Sequence, residues 1–411
     1  MLPERYLDQP LWDEVLGRVV KAGPVGNTMM SGMHQAIAVL SRTGNNVIAD
    51  HVLVEPQWLQ ECISLFSVLP AFFKCSSSAV YREGYLFNSK KKYKVNIVIS
   101  LLILIPAVIV LLFVYRNEIL FAIYTWTLNG RYYLADKPRV AEGVKWFDDW
   151  FTIQFVDENT IAIGEPRHYQ QNYNYLIVGE SLAILFDTGV GLRDITPVVE
   201  SLTSLPVIAV PSHLHYDHTG NLARFERVAL PDLTILREGI TGGFFLPTDK
   251  QHHGRRENIP LPKFRVTEWW TPGEMAVLGT RRLQVIHAPG HAPECIALFD
   301  PDRNQLFTGD FINIGELYAF LPESNLQDYL DNTEKLLSLI NEKTMLLTAH
   351  NDAHDVHSAP LLVYQDLFDL KNSLQGIKNK ALSGHGFYPR RYTVNQRLTL
   401  LTDFPWLARW N

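Results

Sequence analysis

Four residues within six positions carry the most visible chemistry in this chain: His213, His215, Asp217 and His218, in the stretch "SHLHYDHTGN". In extended backbone, side chains two apart point the same way, so His213 and His215 can face one metal ion. Asp217 and His218 lie past a bend, where they can turn toward a second. With 14 histidines in 411 residues, an HxHxDH pattern should arise by chance in about one such chain in a thousand. Three more groups of this kind follow, His291 in "PGHAPE", Asp310 in "LFTGD" and His350 in "LLTAH", each ending a strand-like run. Seven nitrogen and oxygen ligands suit two zinc ions, because imidazole binds zinc and a carboxylate can bridge two cations. His354 and His357 compete with His350 for the last place, since all three lie in "AHNDAHDVH".

A scaffold must bring these groups together. From about Lys145 onward, short apolar runs alternate with turn signals, and "YNYLIVG", "LAILFDTG", "PVIAVPSH", "RLQVIHAPGH", "CIALFDPDRNQLFTGD" and "TMLLTAH" are candidate strands. "DPDRN" at 300–304 predicts a turn joining two of them into a hairpin. Helices are expected at "NLQDYLDNTEKLLSLINE", capped by Ser324 or Asn325, and at "LVYQDLFDLKNSLQGIKNKAL". "DKQHHGRREN" at 249–258, with His252, His253, Arg255 and Arg256, reads together with His168 as a loose polar set in a solvated loop. Facing the site instead, its positive charge would favour an anionic substrate.

Composition narrows the function. A net charge of −6 offers no basic field, so nucleic acid is not an expected partner. Cys62, Cys75 and Cys295 contain no CxxC, which argues against a thiolate zinc knuckle or a disulfide framework. Cys295 is expected to be a small core residue.

Residues 95–115, "VNIVISLLILIPAVIVLLFVY", are uncharged over 21 positions, and a membrane-spanning helix needs about 20 apolar residues. Lys90, Lys91, Lys92 and Lys94 precede this stretch, while Arg116 is followed by Glu118. The positive-inside bias therefore predicts a single-pass cell-membrane protein with everything after Tyr115 outside the cytoplasm, and Tyr115, Tyr124 and Trp126 as interfacial anchors. Upstream, "GPVGNTMMSGMHQAIAVLSRTGNNVIADHVLVEPQWLQECISLFSVLPAFF" resembles the chloramphenicol phosphotransferase-like family of small kinases. The chain has no GxxxxGK[ST] to cradle phosphates, so this fragment is expected to be truncated and inactive. The expected order is a phosphotransferase-like fragment at 1–74, a basic junction at 75–94, the membrane helix at 95–115, a linker at 116–145 and a hydrolase domain at 146–411.

From about Phe151 to His357 the chain resembles the metallo-β-lactamase superfamily. That resemblance implies an α/β, four-layer αββα sandwich with metals at one edge between its two sheets. It also implies that His213, His215 and His291 hold the first metal and Asp217, His218 and His350 the second, with Asp310 bridging. Asp217 would take a direct part in catalysis, and Asp187 in "LFDTG" would orient a ligand histidine. Two zinc ions about 3.5–4 Å apart would activate a water for attack on a small-molecule substrate. Metallo-β-lactamases proper usually lack the bridging aspartate, so Asp310 favours an ester, thioester, lactone or phosphodiester. A β-lactam hydrolase and a mononuclear iron dioxygenase of the same fold are the alternatives, and iron is the alternative metal. Di-iron reductases resembling this fold carry a glutamate where His215 stands and need a flavin domain.

Overall fold

In the computed structural model, the described residues are 136–411 except 353–355, 405, 407 and 411, together with 31, 35, 108, 109, 111–113, 115, 116, 118 and 119. The chain divides into two compact units, Met1–Val98 and Ile99–Asn411. Most of the 1–74 fragment, the 75–94 junction, the 95–115 stretch, Tyr124, Trp126 and His354 lie outside the described residues. Among the described residues, no helix is long and apolar enough to cross a membrane.

Two sheets build the second unit. The first has eight strands: β1 (Val144–Trp146), β2 (Thr152–Asp157), β3 (Thr160–Glu165), β4 (Asn172–Val178), β5 (Ala183–Phe186), β6 (Val207–Val210), β7 (Arg227–Pro231) and β8 (Glu268–Trp270), ordered β8-β7-β6-β5-β4-β3-β2-β1. Strands β5 to β8 run parallel to one another and β1 to β5 antiparallel. The second sheet contains β9 (Met275–Val277), β10 (Arg282–His287), β11 (Ile296–Asp300), β12 (Gln305–Gly309), β14 (Met345–Thr348) and β15 (Leu361–Val363), neighbours in that order. A small third sheet joins β13 (Gly315–Ala319) to β17 (Leu398–Thr402) and β16 (Arg390–Thr393).

Apolar runs with no polar alternation dictate burial on both faces of these strands. Tyr175, Ile177, Ile184, Phe186, Ile208 and Val210 from the first sheet pack with Val285, Ile296, Leu298, Phe307 and Leu347 from the second. The intervening residues point the other way. Ile161, Leu176 and Leu185 meet Val198 and Val199 of α1 (Thr196–Leu202). Ile286, Phe299, Leu306 and Leu346 meet α4 (Leu326–Leu339) and α5 (Tyr364–Lys378) through Tyr329, Leu336, Leu367 and Leu374. The four layers are therefore helix, sheet, sheet and helices, as the resemblance implies.

The hairpin at 300–304 forms as read, with Asp300 opposite Gln305. Of the two candidate caps of α4, Asn325 serves, its side chain accepting from Gln327 N at 2.8 Å and Asp328 N at 3.1 Å. Ser324 instead donates to the carbonyl of His291 at 2.8 Å, tying the helix start to a candidate ligand loop.

At the end of β12 remote from Asp310, buried Arg281 joins the two sheets. It donates to Asp300 Oδ2 at 2.8 Å in the second sheet, and to Asn159 O at 2.6 Å, Val178 O at 3.0 Å and Thr160 Oγ1 at 2.8 Å in the first. Removing one member of a buried ion pair leaves the other uncompensated. Arg281→Leu should therefore lower stability by about 3–5 kcal/mol in denaturant unfolding, while leaving metal stoichiometry unchanged in the folded fraction.

Candidate metal centre

Five strands end at one edge of the sandwich, and each candidate ligand or its support follows such an end. Asp187 follows β5, His213 follows β6, His291 lies in the loop after β10, Asp310 follows β12, and His350 lies just beyond β14. His215 stands before the one-turn helix α2 (Tyr216–Thr219), which carries Asp217 and His218 and sets the His218 ring 4.2 Å from that of His213. Gly309 has φ +51°, and a Cβ there would lie 2.4 Å from the side chain of Ser212. Only glycine lets β12 come this close to the His213 loop.

The structure brings all seven sequence-derived metal candidates together. His213, His215, His291 and Asp310 form one set able to hold a cation, and Asp217, His218 and His350 another. Asp310 stands between them. Its Oδ2 lies 3.6 Å from His291 Nε2 and 3.9 Å from His213 Nε2, while its Oδ1 lies 3.0 Å from His350 Nε2 and 3.3 Å from His218 Nε2. One carboxylate thus offers one oxygen to each set, the geometry of a bridge. Asp217 Oδ2 lies 3.4 Å from His218 Nε2 and 3.3 Å from His350 Nε2. His357 belongs to a short strand, Val356–His357, paired with Arg139–Val140 and is in neither set.

Each ring is held from behind. His218 Nδ1 lies 2.9 Å from Asp187 Oδ2, and Asp187 Oδ1 accepts from Ser212 N at 2.6 Å. Asp187 is therefore where the sequence reading puts it, behind a candidate ligand. His213 Nδ1 meets Ser212 Oγ at 3.0 Å, His291 Nδ1 meets Tyr318 O at 2.8 Å, and His350 Nδ1 meets Gln170 O at 2.9 Å. These four rings turn Nε2 inward. His215 is reversed: its Nδ1 lies 3.1 Å from His291 Nε2, and its Nε2 lies 3.3 Å from Glu323 Oε1. Asn172 Nδ2 donates to Asp217 Oδ2 at 3.1 Å.

Three of the inward nitrogens, His213 Nε2, His218 Nε2 and His350 Nε2, are buried without a hydrogen-bond partner, as is Asp310 Oδ1. Orphans of this kind are rare in folded proteins, and a cluster of donor atoms facing one another is what a cation site requires. The residues present fit two divalent ions.

Electrostatics agrees. Burial pushes the imidazoles of His213 well down and of His215 to about 4, so both are neutral and able to ligate. Burial also opposes charge on His218 and His350, yet carboxylates outweigh it: Asp217, Asp187 and Asp310 hold His218 well above its usual range, and Asp310 and Asp217 push His350 up to about 10. Burial opposes the charge of Asp310, but His350 and His218 hold its carboxyl well below the usual range.

The 249–258 stretch is only partly the solvated loop expected. Arg255 is exposed, beside Asp249. His252, however, is fully buried at the end of α3 (Asp249–His252), and His253 pairs with Glu323, the carboxylate that holds His215. Glu257 accepts from Tyr216 Oη at 2.6 Å and also pairs with Tyr169. The buried His168 lies 3.9 Å from Glu257. Sequence reasoning missed Glu323, Glu257 and Asn172 as supports of the site. Cys295 is buried and unpaired, as expected of a core residue.

The chain is a metal-dependent hydrolase: its two-sheet sandwich sets paired candidate cation sites at its strand ends, and the relatives it matches are named as hydrolases. Residues 170–350 match the model of the metallo-beta-lactamase superfamily and residues 4–82 that of the chloramphenicol phosphotransferase-like protein, so both resemblances hold. The human protein named acyl-coenzyme A thioesterase MBLAC2 is 28% identical over 219 residues, covering 47% of this chain and 77% of that protein. Hydroxyacylglutathione hydrolase GloC of Haemophilus influenzae is 21% identical over 185 residues, covering 44% and 86%. A solved metallo-beta-lactamase from Pontibacter korlensis matches at 15% identity with a TM-score of 0.42, covering 55% of this chain and 99% of that one.

Two measurements test this centre. Metal analysis of the zinc-loaded chain should give about two ions, and Asp310→Asn one or fewer, since both sets share that carboxylate. Because His350 titrates at about 10 without metal, it carries a proton at neutral pH that a cation must displace. Calorimetric titration of the metal-free protein with zinc should therefore show proton release, and affinity should weaken as pH falls. Uptake without proton release would contradict the assignment of His350.

Proposed function

We propose that the chain is a membrane-anchored, zinc-dependent hydrolase of acyl thioesters. The division of the Asp310 carboxylate between the two candidate cation sets carries the two-metal part of this reading. The thioester rests on the names of the relatives, an acyl-coenzyme A thioesterase and a hydroxyacylglutathione hydrolase. In this reading His213, His215 and His291 hold one ion, Asp217, His218 and His350 the other, and Asp310 both. When bound, the ions would supply a water of lowered pKa and polarise the scissile carbonyl. Asp187, Ser212, Glu323, Gln170 and the carbonyl of Tyr318 keep the rings from turning, and Asn172 fixes the carboxylate of Asp217.

The anchor in this proposal is the uncharged stretch 95–115, with Lys90 to Lys94 on the cytoplasmic side and the hydrolase domain outside. Alkaline carbonate should fail to strip the full chain from membranes, and added protease should reach the hydrolase domain from the extracytoplasmic side.

The enzymatic test is a screen of the zinc-loaded full chain against acyl-coenzyme A, hydroxyacylglutathione, a lactone, a phosphodiester and a chromogenic β-lactam. The thioesters should turn over fastest, chelation should abolish the activity, and Asp310→Asn should lower kcat roughly a hundredfold or more. Inactivity toward both thioesters would overturn the substrate assignment.

A further inference from the structure

A cavity of about 460 Å³ opens on His215 and is walled in part by Ile235, Leu246, Pro293, Pro322 and Glu118. Ile235 and Leu246 are 43% and 46% exposed, an apolar stretch of a wall that is otherwise mostly polar and reaches one candidate ligand, His215. Glu118 belongs to a helical segment in which Tyr115 N bonds Leu111 O and Ile119 N bonds Tyr115 O, each at 2.9 Å. Upstream on that segment, Ile109, Leu111 and Phe113 are 58%, 55% and 55% exposed.

The segment meets the C-terminal end of the chain where charge resumes. Arg116 lies 3.8 Å from Asp403 Oδ2. Beyond Asp403, Phe404 stacks on Trp406 at 5.1 Å and takes Phe387 edge-on at 5.5 Å, and these two neighbours are 76% and 81% exposed. Clustered exposed aromatics of this size mark a contact surface. Its occupant follows from the sequence: the exposed residues at 108–113 continue an uncharged stretch that begins at Val95, and aromatic rings favour the headgroup region of a bilayer.

We infer that Phe387 and Trp406 rest in the bilayer interface beside the helical segment that holds Tyr115 and Glu118 and set the His215 cavity against the membrane. The substrate is then an acyl amphiphile whose tail leaves the lipid along Ile235 and Leu246 toward the cavity at His215. This assignment of substrate class rests on the thioester and anchor readings above.

Two arms test it on the full zinc-loaded chain in phosphatidylcholine vesicles. With bromine on the lipid chains, tryptophan quenching should fall measurably in Trp406→Phe relative to the unaltered chain; equal quenching would overturn the bilayer contact. In the second arm, Phe387→Ser with Trp406→Ser should raise KM for vesicle-borne hexadecanoyl-coenzyme A roughly tenfold, with kcat and the rate on soluble acetyl-coenzyme A unchanged. An unchanged KM, or equal loss on both substrates with metal content intact, would overturn delivery from the lipid. If the unaltered chain hydrolyses neither thioester, the thioester reading fails, and if alkaline carbonate releases it, the anchor reading fails; quenching by the brominated lipid still decides the contact. If the double variant does not fold, Trp406→Phe alone, read by quenching and by KM for the vesicle-borne substrate, decides both points.

Discussion

The arrangement depends on one half-buried carboxylate facing two ways. Asp310 sets an oxygen toward each of two groups of imidazoles, and with Asp217 and Asp187 it concentrates negative charge where water is scarce. Buried charge is tolerated only when compensated. Without cations, His218 and His350 supply the compensation by holding protons; with cations, the ions do so and the rings become ligands. The fold must therefore deliver seven side chains from distant parts of the sequence to one place, and the parallel strands β5 and β6 in one sheet and β12 and β14 in the other do so by ending at the same edge.

Rigidity comes from partners one step removed. Four rings are fixed through Nδ1, and His215 through Nε2 by Glu323. That reversal makes His215 the ligand most dependent on the rest of the chain, because Glu323 also holds His253 from the 249–258 stretch. The same stretch reaches the other side of α2 through Glu257 and Tyr216. At the opposite end of the sandwich, Arg281 ties the sheets together with five polar contacts to side chains and carbonyls.

How much of this was legible follows from distance along the chain. HxHxDH could be read because its spacing alone sets which side chains share a face, and the apolar runs before Asp187, Asp310 and His350 announce strand ends. The fourth layer of helices was visible in the periodicity of 326–339 and 364–378. Glu323 and His253 were not legible, because the pairs Glu323–His215 and Glu323–His253 span 108 and 70 positions and nothing local marks them. The balance of charges in 249–258 pointed to solvent, whereas the capping box at Thr248 and the burial of His252 fold that stretch onto the site. Arg281 was equally silent, since nothing in the pair Arg281-Arg282 after a turn signals that both sheets converge on the first of them.

Gly309 separates what belongs to the ions from what belongs to the reaction. With φ +51° and the Ser212 side chain 2.4 Å from where a Cβ would stand, this position is closed to other residues whatever bond the enzyme cuts. The walls of the cavity at His215, built from Ile235, Leu246 and Pro322, carry no such constraint. Descendants of this chain, natural or selected in the laboratory, are therefore free to explore new substrates through those walls while the spacing of the two cation sets is inherited unchanged.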